Sequence, residues 1–290
     1  MLKAGIFVDA ENVMRCGGWG MRYDVLKEFV AAQGAQVVRA NAYMAIDSER
    51  EANDLDYYRK KEAYRASLRG CGFKLALKKV RRYRNEDGEI VMKANADIEL
   101  AIDALLQSRN LDYLVLMSGD GDFVRLVTAL QSRGCRVDVV SFHNVNPELR
   151  EAADNFHSGF LVPGLLPVEE GRTRGYLHTV NEEKYFGWVT VQTGLAMDEI
   201  EQDIFCHGND LEGGALSNRV FAELKGNHNI IEFTLVEEPR GRRAIKAARV
   251  RHLDSNDRPA LPASAYGTSS RTTVSSLIQQ PPKVDPRPTE

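Results

Sequence analysis

Asp120 and Asp122 stand two residues apart in "LVLMSGDGDF" (114–123), directly after a run of apolar residues. Asp9 follows another apolar run in "GIFVDAENV" (5–13), and Asp97 opens the periodic segment "DIELAIDALL" (97–106). Loops at the carboxyl ends of parallel strands converge on one crevice, and the N-termini of the following helices point into it. If the two runs are neighbouring strands, Asp9, Asp120 and Asp122 meet at one edge. Two carboxylates about 5 Å apart repel by roughly 3 kcal/mol at an effective dielectric of about 20, so several together need a counter-charge. A divalent cation supplies it, and an all-oxygen cluster suits Mg²⁺ or Mn²⁺ rather than zinc, which prefers His and Cys. On such an ion, phosphodiester hydrolysis gains a polarised phosphoryl oxygen, an activated water and a steadied leaving oxygen. Asn12 is placed either to orient that water or the phosphate, or to cap the turn after the first strand. Taken alone, Asp97 reads as a helix cap, and Asp122 is the natural cap of the helix "FVRLVTALQSR". That makes Asp120 the better ligand of its pair.

These acids require a scaffold of short buried strands alternating with helices. Up to about residue 167 the runs "AGIFV", "AQVVRANAYM", "FKLALKKV", "YLVLM" and "CRVDVVSF" alternate with "YDVLKEFVAAQ", "DYYRKKEAYRASLR", "DIELAIDALLQS" and "DFVRLVTALQSR". That is the pattern of an α/β domain with a largely parallel sheet. Gly34, Gly70 and Gly134 are suited to helix C-termini. "NPELREAADNF" adds a last helix, with Asn146 as cap and Pro147 at its first position.

The chain has 290 residues, 43% of them apolar, enough for two domains with real cores. No run approaches the roughly 18 apolar residues that span a bilayer, and no secretory leader is visible, so the expected location is the cytoplasm. Cys16, Cys71, Cys135 and Cys206 lack zinc-ligand spacing and read as free thiols. A formal charge of −3 gives no global attraction to polyanions, so a nucleic acid must be met by local basic patches. "KLALKKVRRYRNEDGEIVMK" (74–93) is such a patch: an expected hairpin whose Lys79, Arg81 and Arg82 line a rim beside the acids. "YYRKKEAYRASLR" is basic too, but at helical spacing it reads as a solvated face.

From residue 172 to 251 the helical period gives way to five short β-type runs, which suit a small barrel of the OB type. Phe186 and Trp188 alternate on one run, and Phe205 and His207 on the next, so each pair points to one face. Residues 252–290 hold six of the ten prolines and one aromatic, Tyr266, and are expected to be disordered.

"GIFVDAENV", "KANADIELAIDAL" and "YLVLMSGDGDFVRLVTALQSRGCRVDVVSF" resemble the NYN domains of the LabA-like group, a branch of the PIN-like nuclease superfamily, over residues 3 to 163. The resemblance implies a PIN-like, Rossmann-like parallel sheet with helices on both faces. It also implies a metal-dependent ribonuclease site, with Asp9, Asp97, Asp120 and Asp122 at the acidic ligand positions and Asn12 beside the first. Asp103 matches a frequent family aspartate but lies six positions along the helix from Asp97, about 240° around it, and is expected to be structural. Where the family has Gly and a β-branched residue before the helical Asp, this chain has "ANA". "GDGDF" is also similar to the acidic loop of haloacid-dehalogenase phosphatases, but those need D-x-D, and here Asp9 is followed by Glu11.

Residues 174 to 250 look like a cold-shock domain, with "KYFGWV" and "DIFCH" as its two RNA-binding motifs. That likeness implies stacking of single-stranded RNA, or single-stranded DNA, on Phe186, Trp188, Phe205 and His207, with Lys184 near phosphate. The family's surface Trp and Phe fall on Thr179 and Val180, and its Gly before the first stacking Phe falls on Tyr185. An acidic insertion, "QTGLAMDEIEQ", makes part of this domain a candidate for protein contacts.

The reading that follows has three parts: an NYN/PIN-like nuclease domain (1–167), a cold-shock-like OB domain (172–251) and a disordered tail (252–290). Its function is Mg²⁺- or Mn²⁺-dependent ribonuclease action, with the barrel capturing single-stranded RNA. The other reading is a non-catalytic RNA-binding or regulatory adaptor on the same scaffold. A homodimer, or a protein partner held through the tail, is compatible with both.

Overall fold

The computed structural model describes residues 1–84, 90–93, 96–212, 218–239 and 241–250, with 81–84, 90–93, 218 and 219 described by their backbone alone. The tail expected from residue 252 lies outside the described residues. The chain opens with β1 (Leu2–Asp9), whose last six residues are buried, and turns at Asp9 into α1 (Ala10–Arg15). α2 (Tyr23–Ala32) leads to β2 (Ala35–Ile46), and α3 (Ser48–Asn53) and α4 (Leu55–Gly70) lead to β3 (Lys74–Lys79). The expected hairpin follows as β4 (Arg81–Arg84) and β5 (Ile90–Lys93), ahead of α5 (Asp97–Gln107). β6 (Tyr113–Met117), α6 (Val124–Gln131), β7 (Arg136–Ser141), α7 (Pro147–Ala152) and β8 (Asn155–Ser158) complete the α/β part.

Its sheet is parallel throughout, in the order β3-β2-β1-β6-β7-β8. Both faces are covered, which is why the β6 sequence "YLVLM" is apolar without alternation and wholly buried. Tyr113, Val115 and Met117 pack with Leu26, Phe29 and Val30 of α2, whereas Leu114 and Leu116 pack with Leu100 and Ala104 of α5 and Val127 and Leu130 of α6. Each fully buried aliphatic side chain stabilises the fold by about 1.5–3 kcal/mol. Successive strands run outward from β1 in one direction and from β6 in the other. The crevice at the carboxyl ends of this central pair is therefore the place where such a fold accepts a ligand.

Local expectations hold at Gly34 and Gly134, which end helices at φ +79° and +80°. At α4 the left-handed residue is Gly72 (φ +80°), and Gly70 is the last helical residue instead. Asn146 caps α7 as expected, accepting from Glu148 N and Leu149 N. The helix stops at Ala152, and the expected "DNF" turn becomes strand: Asn155 pairs with Asp138 and Phe156 with Val139 along the sheet edge. Those ladder bonds, absent from any local signal, outweigh the propensity to continue the helix.

The C-terminal strands are β9 (Arg172–Asn181), β10 (Phe186–Gln192) and β11 (Ile200–His207), then a short helix α8 (Asn218–Ala222), β12 (Ile230–Glu238) and β13 (Gly241–Arg249). They close into a barrel in the order β10-β11-β13-β12-β9, with β11 and β13 parallel and the other pairs antiparallel. Five strands with this Greek-key crossing are the OB arrangement. Leu177, Val189, Ile204, Cys206, Phe221 and Phe233 fill it. The insertion between β10 and β11 turns back onto the α/β part, where Gln33 Nε2 donates to Leu195 O at 2.8 Å. Among the described residues, no helix is long and apolar enough to cross a membrane, and the four cysteines are free.

Candidate active site and nucleic-acid face

Asp9 ends β1 and caps α1: its Oδ1 accepts from Asn12 N at 3.1 Å, and its Oδ2 accepts from the Ser118 hydroxyl at 3.2 Å. Asn12 in turn accepts at Oδ1 from Gly119 N, 2.9 Å away, so its buried side chain ties the β1–α1 turn to the loop after β6. Ser118 Oγ also accepts from Asp120 N at 3.2 Å, and Asp120 Oδ1 accepts from Asp122 N at 3.0 Å. Asp120, not Asp122, is therefore the cap. It closes the 3₁₀ turn Gly121–Phe123 before α6, where Phe123 occupies the cap position and offers no side-chain bond. An aspartate reaches the amide two residues on by an Asx turn, which spends one oxygen of Asp120 and leaves Asp122 turned outward. The cap reading of Asp97 is corrected likewise. Ala96 holds the cap position and Asp97 is the first residue of α5, where the helix dipole favours its charge.

Gly119 and Gly121 are not in the left-handed region. At Gly121 the need is space, since a Cβ would lie 2.4 Å from Asn146 Nδ2, the side chain that caps α7.

The folded chain brings carboxylate oxygens of Asp97, Asp120 and Asp122 within 4.8 Å of one another, Asp97 and Asp120 half-buried and Asp122 exposed. Asp9 stands behind this trio, 8% exposed. Burial pushes its pKa from 3.8 up to about 6. The Asn12 amide opposes that rise, the charge of Asp97 adds to it, and the Ser118 hydroxyl and Arg15 lower it further. The donors are all oxygen and partly hydrated, and an uncompensated negative field reaches into the wall behind them, which fits a hard divalent cation. Ser118 escapes sequence reasoning, although a lone hydroxyl between a buried strand and "GDGD" is the available signal. Asp103 accepts from Tyr43 Oη at 2.9 Å and serves the packing of α5 on β2, in keeping with its place around the helix.

Around this edge, Lys78 is paired with Glu99 of α5 and Lys79 is exposed. Arg81 and Arg82 lie on β4, and their side chains are outside the described residues.

On the barrel, Phe186 lies opposite His207 and Trp188 opposite Phe205 across β10 and β11. All four are half-buried and alternate with the buried Gly187, Val189, Ile204 and Cys206, so they share the outer face. Ring centroids are 5.5 Å apart for Phe186 and Phe205 and 5.7 Å for Trp188 and Phe205. His207 Nδ1 accepts from Asn209 N at 3.1 Å, which leaves the proton of a neutral ring on Nε2. The Arg243 guanidinium, held by both oxygens of Asp210, lies 5.7 Å from the Phe205 ring centroid. Lys184 is exposed next to the cluster. Tyr185, where the resemblance has Gly, takes φ +56°. Its ring covers Gly208 and packs edge-on against Phe221 at 5.2 Å and His207 at 5.6 Å, contacts that offset the left-handed backbone.

The NYN domain model matches residues 3–166. Low amplitude and bright protein LabA of Synechococcus elongatus is 27% identical over 163 residues, covering 53% of this chain and 82% of that protein. The crystal structure of a protein of unknown function from Vibrio parahaemolyticus is 30% identical, covers 53% of this chain and 91% of that one, and superposes with a TM-score of 0.43. The acids at the ends of β1 and β6 and at the head of α5 lie within the matched residues, and the chain belongs to the NYN domain family, as a LabA homologue with a PIN-like fold followed by an OB-like barrel.

Proposed function

We propose that the protein is a Mg²⁺- or Mn²⁺-dependent ribonuclease whose barrel captures single-stranded RNA. The observation that carries this reading is the convergence of Asp97, Asp120 and Asp122 at the switch-point crevice of a domain family whose members are generally nucleases. Asp97, Asp120 and Asp122 would hold the ion, with Asp9 behind them. A divalent ion supplies Lewis-acid activation of the phosphoryl group and lowers the pKa of water. The chain's own contribution is placement: Asn12 and Ser118 lock the β1 and β6 loops together, and the α5 N-terminus aims Asp97 inward. Lys79, Arg81 and Arg82 would meet backbone phosphates, each contact adding salt-dependent affinity. Phe186, Trp188, Phe205 and His207 offer faces for base stacking, with Lys184 beside them.

The test is incubation of labelled single-stranded RNA with the full chain in Mn²⁺ or in EDTA, alongside Asp120→Asn. Cleavage that needs Mn²⁺ and is lost in the variant, with RNA binding kept, supports the enzyme. RNA that is bound but stays intact under every condition would leave only the adaptor.

A further inference from the structure

We infer that α5 is a docking helix for a second copy of this chain, paired antiparallel across a two-fold axis at Ile102. The helix faces the wrong way for a solvent-covered element. Its polar Asp103 and Gln107 turn inward, to Tyr43 Oη at 2.9 Å and Asn41 Nδ2 at 3.2 Å. Its aliphatic Ile98, Ile102 and Leu106 turn outward and are 66%, 51% and 58% exposed. With Leu100 and Ala104 buried beneath, the helix is apolar on both faces, the pattern of an element covered on both sides. Three large aliphatics at a spacing of four form one continuous stripe along a helix about 16 Å long, unlike scattered exposed side chains.

The occupant is fixed by symmetry and charge. The stripe is centred on Ile102, so an antiparallel copy sets Ile98 of one chain against Leu106 of the other at both ends, which is an isologous contact. The N-terminal end of the helix carries Asp97 and Glu99. At the C-terminal end the groove lined by Lys3, Val38, Arg39, Leu106 and Leu111, about 350 Å³, continues the apolar surface between two cations, and Arg109 adds a third. No carboxylate among the described residues pairs with Lys3 Nζ, Arg39 or Arg109. Antiparallel pairing brings each acidic end to the other copy's basic end and also opposes the two helix dipoles favourably. The contact is small against the roughly 800 Å² per partner of standard interfaces, so the dimer is a weak one. It does not depend on the nuclease reading.

Sedimentation velocity of the full chain from about 1 to about 200 µM, with Ile102→Asp and with Leu55→Asp as a control at another exposed aliphatic, tests the contact. The parent and the Leu55→Asp chain should shift toward dimer with concentration, and Ile102→Asp should weaken association at least about tenfold while keeping the parent's circular dichroism. Orientation is read by mild oxidation. Ile102→Cys should give a disulfide-linked dimer, and a mixture of Ile98→Cys and Leu106→Cys chains should cross-link more than either alone. A parent that stays monomeric throughout, or dimerises equally with Ile102→Asp, overturns the inference. Cross-linking of Ile98→Cys chains to themselves in preference to the mixture overturns the antiparallel arrangement.

Discussion

Replacing Asp9 by Asn separates the electrostatic cost of the acidic crevice from its bonding. Asp9 is 8% exposed and its pKa is raised from 3.8 to about 6, burial being the largest cause and the Asp97 charge adding to it. A rise of that size corresponds to about 3 kcal/mol of preference for the protonated form in the folded chain. The folded state binds this proton more tightly than the unfolded state does. The stability it contributes is therefore fully present below pH 3.8 and lost as the pH rises through about 6. Asparagine keeps an acceptor for Asn12 N but puts an amide where Oδ2 accepts the Ser118 hydroxyl, a loss of about 1 kcal/mol. Without metal, Asp9→Asn should be no more stable than the parent near about pH 4 and more stable by about 2 kcal/mol near about pH 7.5. The latter raises the first unfolding midpoint by about 4–8 °C. Thermal melts of both chains across this range in EDTA read the difference, and Mn²⁺ should narrow it at the upper end by relieving the same cost in the parent. A difference that does not vary with pH would refute the reasoning.

Two further outcomes follow from packing. Gly121→Ala places a methyl 2.4 Å from Asn146 Nδ2, so it should displace the α7 cap and destabilise the chain by about 1–3 kcal/mol, measured by urea unfolding. Phe205→Ala removes the ring that touches Phe186, Trp188 and Arg243, and should weaken single-stranded RNA binding by about 5- to 150-fold in fluorescence anisotropy; unchanged affinity would remove the barrel face from RNA capture.

The division of the chain into a parallel α/β part and a five-stranded barrel was legible because strand and helix periods, and most of the turns, are local signals. So was the outward face of Phe186, Trp188, Phe205 and His207, since a strand alternates sides whatever surrounds it. Helix ends were legible at Gly34, Gly134 and Asn146, but not at Ala152, where an edge strand claimed the next residues. The outward turn of α5 escaped for a related reason: its sequence has two apolar faces, and only the sheet decides which is buried.

At the crevice, local chemistry alone put acids at the ends of β1 and β6 and at the head of a helix. Which oxygens meet was a tertiary decision. Asp97, Asp120 and Asp122 converge while Asp9 is drawn back by Asn12 N and by Ser118, a residue 109 positions away. A bond across that separation exists only because β1 and β6 are neighbours in the sheet. Strand order is set by burying both faces of the whole sheet at once, which no window of local sequence encodes.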